Sequence, residues 1–222
     1  MADAASLLRE IQSLESSADF LLAHDRARAA AEAYPDEAEF RYLAVRCLAR
    51  AGGTQHALDL YEKYALGSHD RPDYRALRAR LEKDLALRAS GSQRNPRLRK
   101  AGRMYGELFR SVGGYYAAVN AATLFLLAGD DELARGYAQE TLAYCARDPE
   151  KGDLDAYYRT ASEAEAHLIL GDTLAAMKAL HTLASTGRSD LAARAGTRRQ
   201  LRLVLDARRL NDSILNPLTP PE

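Results

Sequence analysis

The chain has 222 residues, with 42 Ala and 34 Leu against four Val and three Ile, and its 31 basic and 31 acidic side chains cancel. Helices favour Ala and Leu while strands favour β-branched side chains, so the composition excludes a substantial sheet and reads as all-α. No apolar run approaches the ~20 residues that a membrane span needs, and 28% charged residues argue for a soluble surface.

In chain order, the punctuation predicts helices over 3–15, 18–33, 36–51 and 54–66, then 72–89, 96–111, 115–128 and 131–146, and finally 153–170, 173–185 and 189–210. The N-terminus MADAASLLREIQSLES has no basic segment leading into an apolar stretch, so it does not read as a secretory signal. Cys47 and Cys145 lack a CxxC partner and fall inside helical patterns, which predicts buried thiols in a reducing cytoplasm. Ala89-SGSQRNP reads as a polar connector, with Asn95 and Pro96 as cap and first-turn proline of the next helix. Ser189-Asp190 opens the last helix. The tail Asn216-PLTPPE reads as non-helical, a linker or frayed end, and its Pro217 and Pro220 have PxxP spacing. The expected organisation is one helical-repeat domain over 1–212 and a Pro-rich tail over 213–222.

Three segments share one grammar: Cys47-LARAGGTQHALDLYEKY, Phe125-LLAGDDELARGYAQETL and His167-LILGDTLAAMKALHTL. Each carries an apolar helix end, a glycine (Gly52, Gly129, Gly171) and an alanine five residues later (Ala57, Ala134, Ala176). The glycine permits the left-handed conformation that closes a helix, a polar residue follows to cap the next, and the small alanine lets the two helices approach. Small positions also precede each glycine, at Ala44/Val45, Ala121/Ala122 and Ala164. This pattern resembles the tetratricopeptide repeat (TPR), a pair of antiparallel helices with small residues at the crossing. A degenerate first repeat keeps Ala23, Ala30 and Pro35. The glycines are 77 and 42 residues apart, not the repeat's usual ~34, so the resemblance implies an irregular TPR-like α-solenoid of ten to eleven helices with an extra helical unit before the third pair.

Neutrality conceals charge blocks: net −5 over 1–70, +8 over 71–110, −6 over 111–187 and +3 over 188–222. Such blocks fit solvated faces or intramolecular complementarity, or else a local site for an anionic partner. Enzyme signatures are missing from the sequence: it has no phosphate-binding glycine loop, no HExxH, no GxSxG and no Cys/His cluster. The expectation is a noncatalytic protein without metal or cofactor. The acidic pairs Asp130-Asp131 and Glu163/Glu165 read as cap or exposed positions.

Twelve Tyr stand against four Phe and no Trp. Tyr61 and Tyr137 read as core between repeats. Counted back from each glycine, Tyr42, Tyr116 and Tyr158 fall on the first-helix face that lines the inner groove of a TPR array. Arg46, Asn120, Thr123 and Glu165 share or border that face. Such a groove suits a peptide or small polar ligand. In the basic block, Arg80, Lys83 and Asp84 lie on one side of their helix, where an Arg80–Asp84 ion pair needs no ligand, and Arg99, Lys100 and Arg103 form a similar stripe. Overall neutrality and the lack of interleaved stacking aromatics argue against nucleic acid.

Two blocks carry a more specific resemblance. Ala76-LRARLEKD is similar to a G-x-x-G-R-x-x-K-D signature, with Ala76 and Ala79 in place of the glycines and Glu82 where an aromatic is usual. Tyr115-YAAVNAATLFLLAGD is similar to a Y-Y-x-x-x-N-A-A-T-L block. Both resemble the TRAFs-binding, or central regulatory, TPR region of apoptosis signal-regulating MAP kinase kinase kinases and its bacterial relatives, most strongly over 71–185. The resemblance implies a regulatory scaffold that binds a protein partner, an effector or adaptor, and controls signalling or defence; the Ala/Arg-rich composition suits a bacterial source. It also implies that Arg80, Lys83, Asp84, Tyr116 and Asn120 gather in the groove. The alternative is a sensor in which the basic 71–110 segment receives a small anionic, nucleotide-like ligand.

Overall fold

A computed structural model describes residues 3–147, 153–185 and 191–219. The helices in chain order are α1 Ala4–Ser16, α2 Phe20–Ala33, α3 Ala38–Arg50, α4 Thr54–Lys63, α5 Pro72–Arg88, α6 Arg94–Val112, α7 Tyr115–Leu127, α8 Asp131–Arg147, α9 Asp153–Leu170, α10 Thr173–Ser185 and α11 Leu191–Arg208. Short 3-10 turns cover Leu66–Ser68, Gly91–Gln93 and Asp212–Leu218, and the described residues contain no strand. The all-α class and the helix order are as the sequence predicts. The chain forms two compact units, Met1–Arg88 and Ala89–Glu222, divided in the polar connector.

The helix closures follow directly from the glycines. Gly52, Gly129 and Gly171 have φ of 93, 83 and 87°, a region where an L side chain is strained and glycine is not. In each closure the next residue's N–H reaches back to a carbonyl five residues earlier: Gly53 to Leu48 at 3.1 Å, Asp130 to Phe125 at 2.9 Å and Asp172 to His167 at 2.9 Å. These bonds satisfy carbonyls that a helix end otherwise leaves open. Asp172 also caps α10, accepting from the Ala175 N–H at 3.0 Å.

Two further closures use no glycine. Ala18 has φ 61°, with Asp19 N–H donating to Leu14 at 2.9 Å; Arg209 has φ 55°, with Leu210 N–H donating to Leu205 at 2.9 Å. The first joins α1 to α2 and keeps Ala23 five residues on, so the degenerate repeat is complete in three dimensions. Ala23, Ala57, Ala134 and Ala176 are all fully buried, as crossing residues must be.

In the first unit, Ile11, Phe40, Leu43, Leu66 and Leu81 pack with Ala23 and Ala57 into one core. In the second, every residue of α7 from Ala117 to Leu126 is buried. A helix without a polar face is an interior helix. It lies against α6, α8, α9 and α11. On α6, Gly106 admits the Tyr137 ring: a Cβ there would stand 2.2 Å from the tyrosine hydroxyl oxygen. Tyr137 can thus stack on Phe125 with centroids 5.7 Å apart.

Two expectations are corrected. The sixth helix begins at Arg94 rather than after an Asn95 cap. Pro96 is tolerated there because first-turn N–H groups have no intrahelical acceptor to lose. The tail over 212–218 is not frayed. It forms a 3-10 turn whose Leu215 and Leu218 are fully buried, packed on α10 and α11. Arg198 donates to the Leu215 carbonyl at 2.7 Å and Arg194 to that of Pro217 at 3.4 Å. Two apolar side chains three residues apart suit this turn, whose side chains eclipse at that spacing. The Ser189-Asp190 start and Pro220 lie outside the described residues.

Candidate functional site

Each unit is built from its own helices, so the candidate residues divide between them. In the first unit, Tyr42 on α3 is buried rather than open to a groove. Its ring stacks on Tyr74 of α5 with centroids 4.8 Å apart and planes at 15°. Guanidinium groups cover both ends of the stack: Arg46 lies 5.1 Å from the Tyr42 centroid and Arg71 lies 4.5 Å from that of Tyr74. Cations favour the negative face of an aromatic ring. The outer sides of these arginines meet carboxylates, Arg46 with the buried Glu15 and Arg71 with Glu39 at 2.9 Å. Burial raises the Tyr42 hydroxyl above its ordinary range. This series of stacked and ion-paired groups ties α1, α3 and α5 together and buries the Tyr42 ring that a groove residue would offer a ligand.

On α5, Arg80 and Asp84 form the expected intrahelical pair at 3.9 Å, and Lys83 beside them is half-buried. Glu82, at the position where the resembled family has an aromatic, is buried; Arg78 bridges it at 3.0 Å and Glu62 of α4 at 2.9 Å. Within the second unit, Arg99 holds Asp130 with two bonds of 2.7 and 3.0 Å and also donates to the Ala128 carbonyl. The Arg99 hydrogen bond lowers the Asp130 carboxyl below its ordinary value, and the field of Arg103 adds to it. Much of the +8 block is therefore matched by the chain's own acids and carbonyls. Arg97 and Arg103 remain exposed on α6.

Five candidates of the second unit lie on α7 and α9. Tyr116 and Tyr158 stand at the same position counted back from Gly129 and Gly171, and both are exposed, at 48% and 43%. Tyr116 holds its hydroxyl 3.3 Å from that of Tyr105, and Tyr158 packs edge-on against Tyr157. Thr123 and Glu165 also share a position between repeats, but both are buried. The Thr123 hydroxyl donates to the Glu165 carboxylate, and the Gln200 amide of α11 donates to the same oxygen at 2.8 Å. Asn120 is buried as well and donates to the Tyr116 carbonyl at 2.8 Å. Glu165 is thus neither a surface acid nor an open groove residue: α11 lies over this part of the face, against both α7 and α9. The covering helix could not be read from α7 or α9. Its signal lies in α11 itself, where Thr197 and Gln200 are spaced to meet Tyr157 and Glu165.

Both cysteines are free and buried, and burial pushes each thiol up to about 12. Among the described residues no group of His, Cys, Asp and Glu could hold a metal ion, and no helix is long and apolar enough to cross a membrane.

Residues 19–125 match the family model described as TPR-S, Tetratricopeptide Repeats-Sensor. The fold is that of TPR proteins. A crystal structure of a thermophilic TPR protein of Thermus thermophilus superposes with a TM-score of 0.67 at 16% identity, covering 89% of this chain and 98% of that one. A TPR protein from Parabacteroides merdae superposes with a TM-score of 0.54 at 16% identity, over 96% of this chain and 76% of that one. No curated protein matches the chain. TPR architecture accounts for the repeated glycine closures, the crossing alanines and the equivalent positions of Tyr116 and Tyr158.

Proposed function

We propose that this chain is a noncatalytic TPR-type regulatory scaffold of the bacterial cytoplasm that binds a protein partner and controls a signalling or defence effector. The observation that carries this reading is the pair of exposed tyrosines, Tyr116 and Tyr158, at equivalent places on adjacent first helices of a TPR fold. Tyrosine offers a large apolar ring with one hydroxyl at little entropic cost, which is the chemistry of protein-binding hot spots. The likeness of Ala76-LRARLEKD and Tyr115-YAAVNAATLFLLAGD to the TRAFs-binding region of apoptosis signal-regulating MAP kinase kinase kinases supports control of an effector rather than passive assembly. Photo-crosslinking residues placed at 116 and at 158 test the reading. Both positions should capture one and the same protein in the native host, and Tyr116→Ala with Tyr158→Ala should abolish its co-purification. Capture of unrelated proteins at the two positions would overturn it.

A second reading draws on the word Sensor in the matched family description and on Arg97 and Arg103, exposed on α6. There the ligand is a small nucleotide-like anion. A ligand that binds only the folded state raises apparent stability, so a thermal-shift series with nucleotides should show a rise that Arg103→Glu removes. No rise at millimolar nucleotide excludes it.

A further inference from the structure

We infer that α11 is a displaceable occupant of the inner face of α7 and α9, and that the partner proposed above is an amphipathic helix that takes its place. The identity of the partner rests on that earlier reading; the displaceability of α11 does not.

Helices α7 and α8 pack as one pair and α9 and α10 as another, with α6 against α7. In a regular array, the next helix stacks beside α9 and extends the row. Here α11 instead lies against α7 and α9 together, and so covers the face that Thr123 and Glu165 share. Its hold on α7, α8 and α9 is of a kind that another helix can reproduce, while the 212–218 turn, bound by Arg194 and Arg198 and packed also on α10, parts from α10 with it. Gln200 donates to Glu165 at 2.8 Å, the Tyr157 hydroxyl donates to Thr197 at 3.2 Å, and Arg208 pairs with Asp131 at 2.6 Å and caps the Ile169 carbonyl. Between these polar contacts Leu201, Val204 and Leu205 supply the fully buried apolar stripe. Every polar contact in that set is made through an α11 side chain, so any helix with the same spacing satisfies them.

The face is also incompletely covered. Tyr116 and Tyr158 stay exposed, and on α11 the equivalent position counted back from Arg209 is Gly196, where a Cβ would meet nothing within 4 Å. An incoming helix can therefore engage the two tyrosines before α11 leaves. The matching partner carries a hydrogen-bond donor opposite Glu165, Leu or Val one, four and five residues later, and an Arg eight residues later, as α11 does from Gln200 to Arg208. A segment with this pattern lays down one apolar stripe with a polar start and a basic end.

The test uses the full chain and a labelled peptide of residues 191–208. Val204→Asp places a charge in the apolar stripe and frees the face. The variant should bind the peptide about a hundredfold more tightly than the wild type, the factor expected when α11 is docked in ~99 of 100 molecules. Equal affinity of the two proteins, with the variant folded, overturns the inference. Hydrogen exchange on the unaltered chain decides the matter if the variant does not fold. The α11 amides should then exchange through an opening about a hundredfold more populated than the one that exposes α7 and α9. Exchange of all three helices in one cooperative opening makes α11 permanent core and ends the proposal. Neither readout involves the partner, so crosslinking at 116 and 158 can fail while α11 exchange succeeds, or the reverse.

Discussion

Ala18 and Gly52 lie one repeat length of about 34 residues apart and close α1 and α3 in the same left-handed conformation, with φ of 61 and 93°. The same backbone geometry is thus imposed once on an alanine and once on a glycine. An L side chain there costs ~1–2 kcal/mol, partly offset by the greater freedom of glycine in the unfolded chain. Ala18 is exposed, so its methyl contributes no packing. Ala18→Gly should therefore stabilise the protein by about 0.5–1 kcal/mol. Gly129→Ala, where a Cβ would meet nothing within 4 Å, should destabilise by about 1 kcal/mol through backbone strain alone. Urea unfolding of the two variants measures both.

The repeat closures show what a sequence can and cannot reveal. Gly52, Gly129 and Gly171 announce themselves because the left-handed region selects glycine, and the crossing alanines follow at fixed spacing. Ala18 and Arg209 adopt the same conformation without that signature, so the first pair looked degenerate. Burial was legible where a residue faced its own pair. It was not legible where coverage came from far along the chain: nothing around Thr123 or Glu165 encodes that α11 will lie over them. Tyr42 likewise depends on Tyr74, a residue of α5 that no local pattern links to α3.

Arg46 is a structural residue. Its guanidinium sits between the Tyr42 ring and the buried Glu15 carboxylate, which Arg50 also contacts at 3.3 Å. Arg46→Glu would place a second carboxylate against Glu15 and should destabilise the fold by about 3–5 kcal/mol, the range seen when a buried pair loses one partner. Arg103→Glu, on an exposed α6 position, should change stability by less than ~0.5 kcal/mol. Chemical denaturation of both variants distinguishes the roles.

The Arg99–Asp130 pair gives a pH signature. Its hydrogen bond to Arg99 holds the folded Asp130 carboxyl below its ordinary value of 3.8. A carboxyl with a depressed folded value stabilises the fold above its unfolded pKa and loses that contribution as acid protonates it. Arg99→Met should therefore lower the melting temperature at neutral pH, and the gap from wild type should close as pH falls through and below 3.8. A gap that stays constant in acid would show that Arg99 acts only through its bond to the Ala128 carbonyl.

Cys47 and Cys145, with thiols pushed up to about 12 by burial, hold almost no thiolate at mildly alkaline pH. Thiolate is the reactive form. The native protein should leave both unmodified by a thiol reagent over the period in which urea-unfolded chain reacts fully. Rapid modification of one cysteine in the native protein would show local opening of its helix.

Residues on one face of α7 and α9 should divide by depth. Tyr116 and Tyr158 are half-exposed, so replacing either with Ala forfeits chiefly its edge-on pair with Tyr105 or Tyr157, and unfolding free energy should fall by about 0.5–1.5 kcal/mol. The same substitutions should weaken partner association by about 2 kcal/mol each, as for a tyrosine at the centre of an interface. Thr123→Val keeps the shape but removes a hydrogen bond to the buried Glu165, which should cost about 1–3 kcal/mol of stability. Because α11 donates to that same carboxylate through Gln200, Thr123→Val should also loosen α11 and speed exchange of its amides relative to those of α10. The proposed partner would meet the same Glu165 carboxylate as α11, so Thr123→Val should leave their competition little changed while the exposed tyrosines stay intact. Binding and stability measured on Tyr158→Ala and Thr123→Val in parallel should thus move in different patterns. Unchanged binding after Tyr158→Ala would remove that tyrosine from the contact surface.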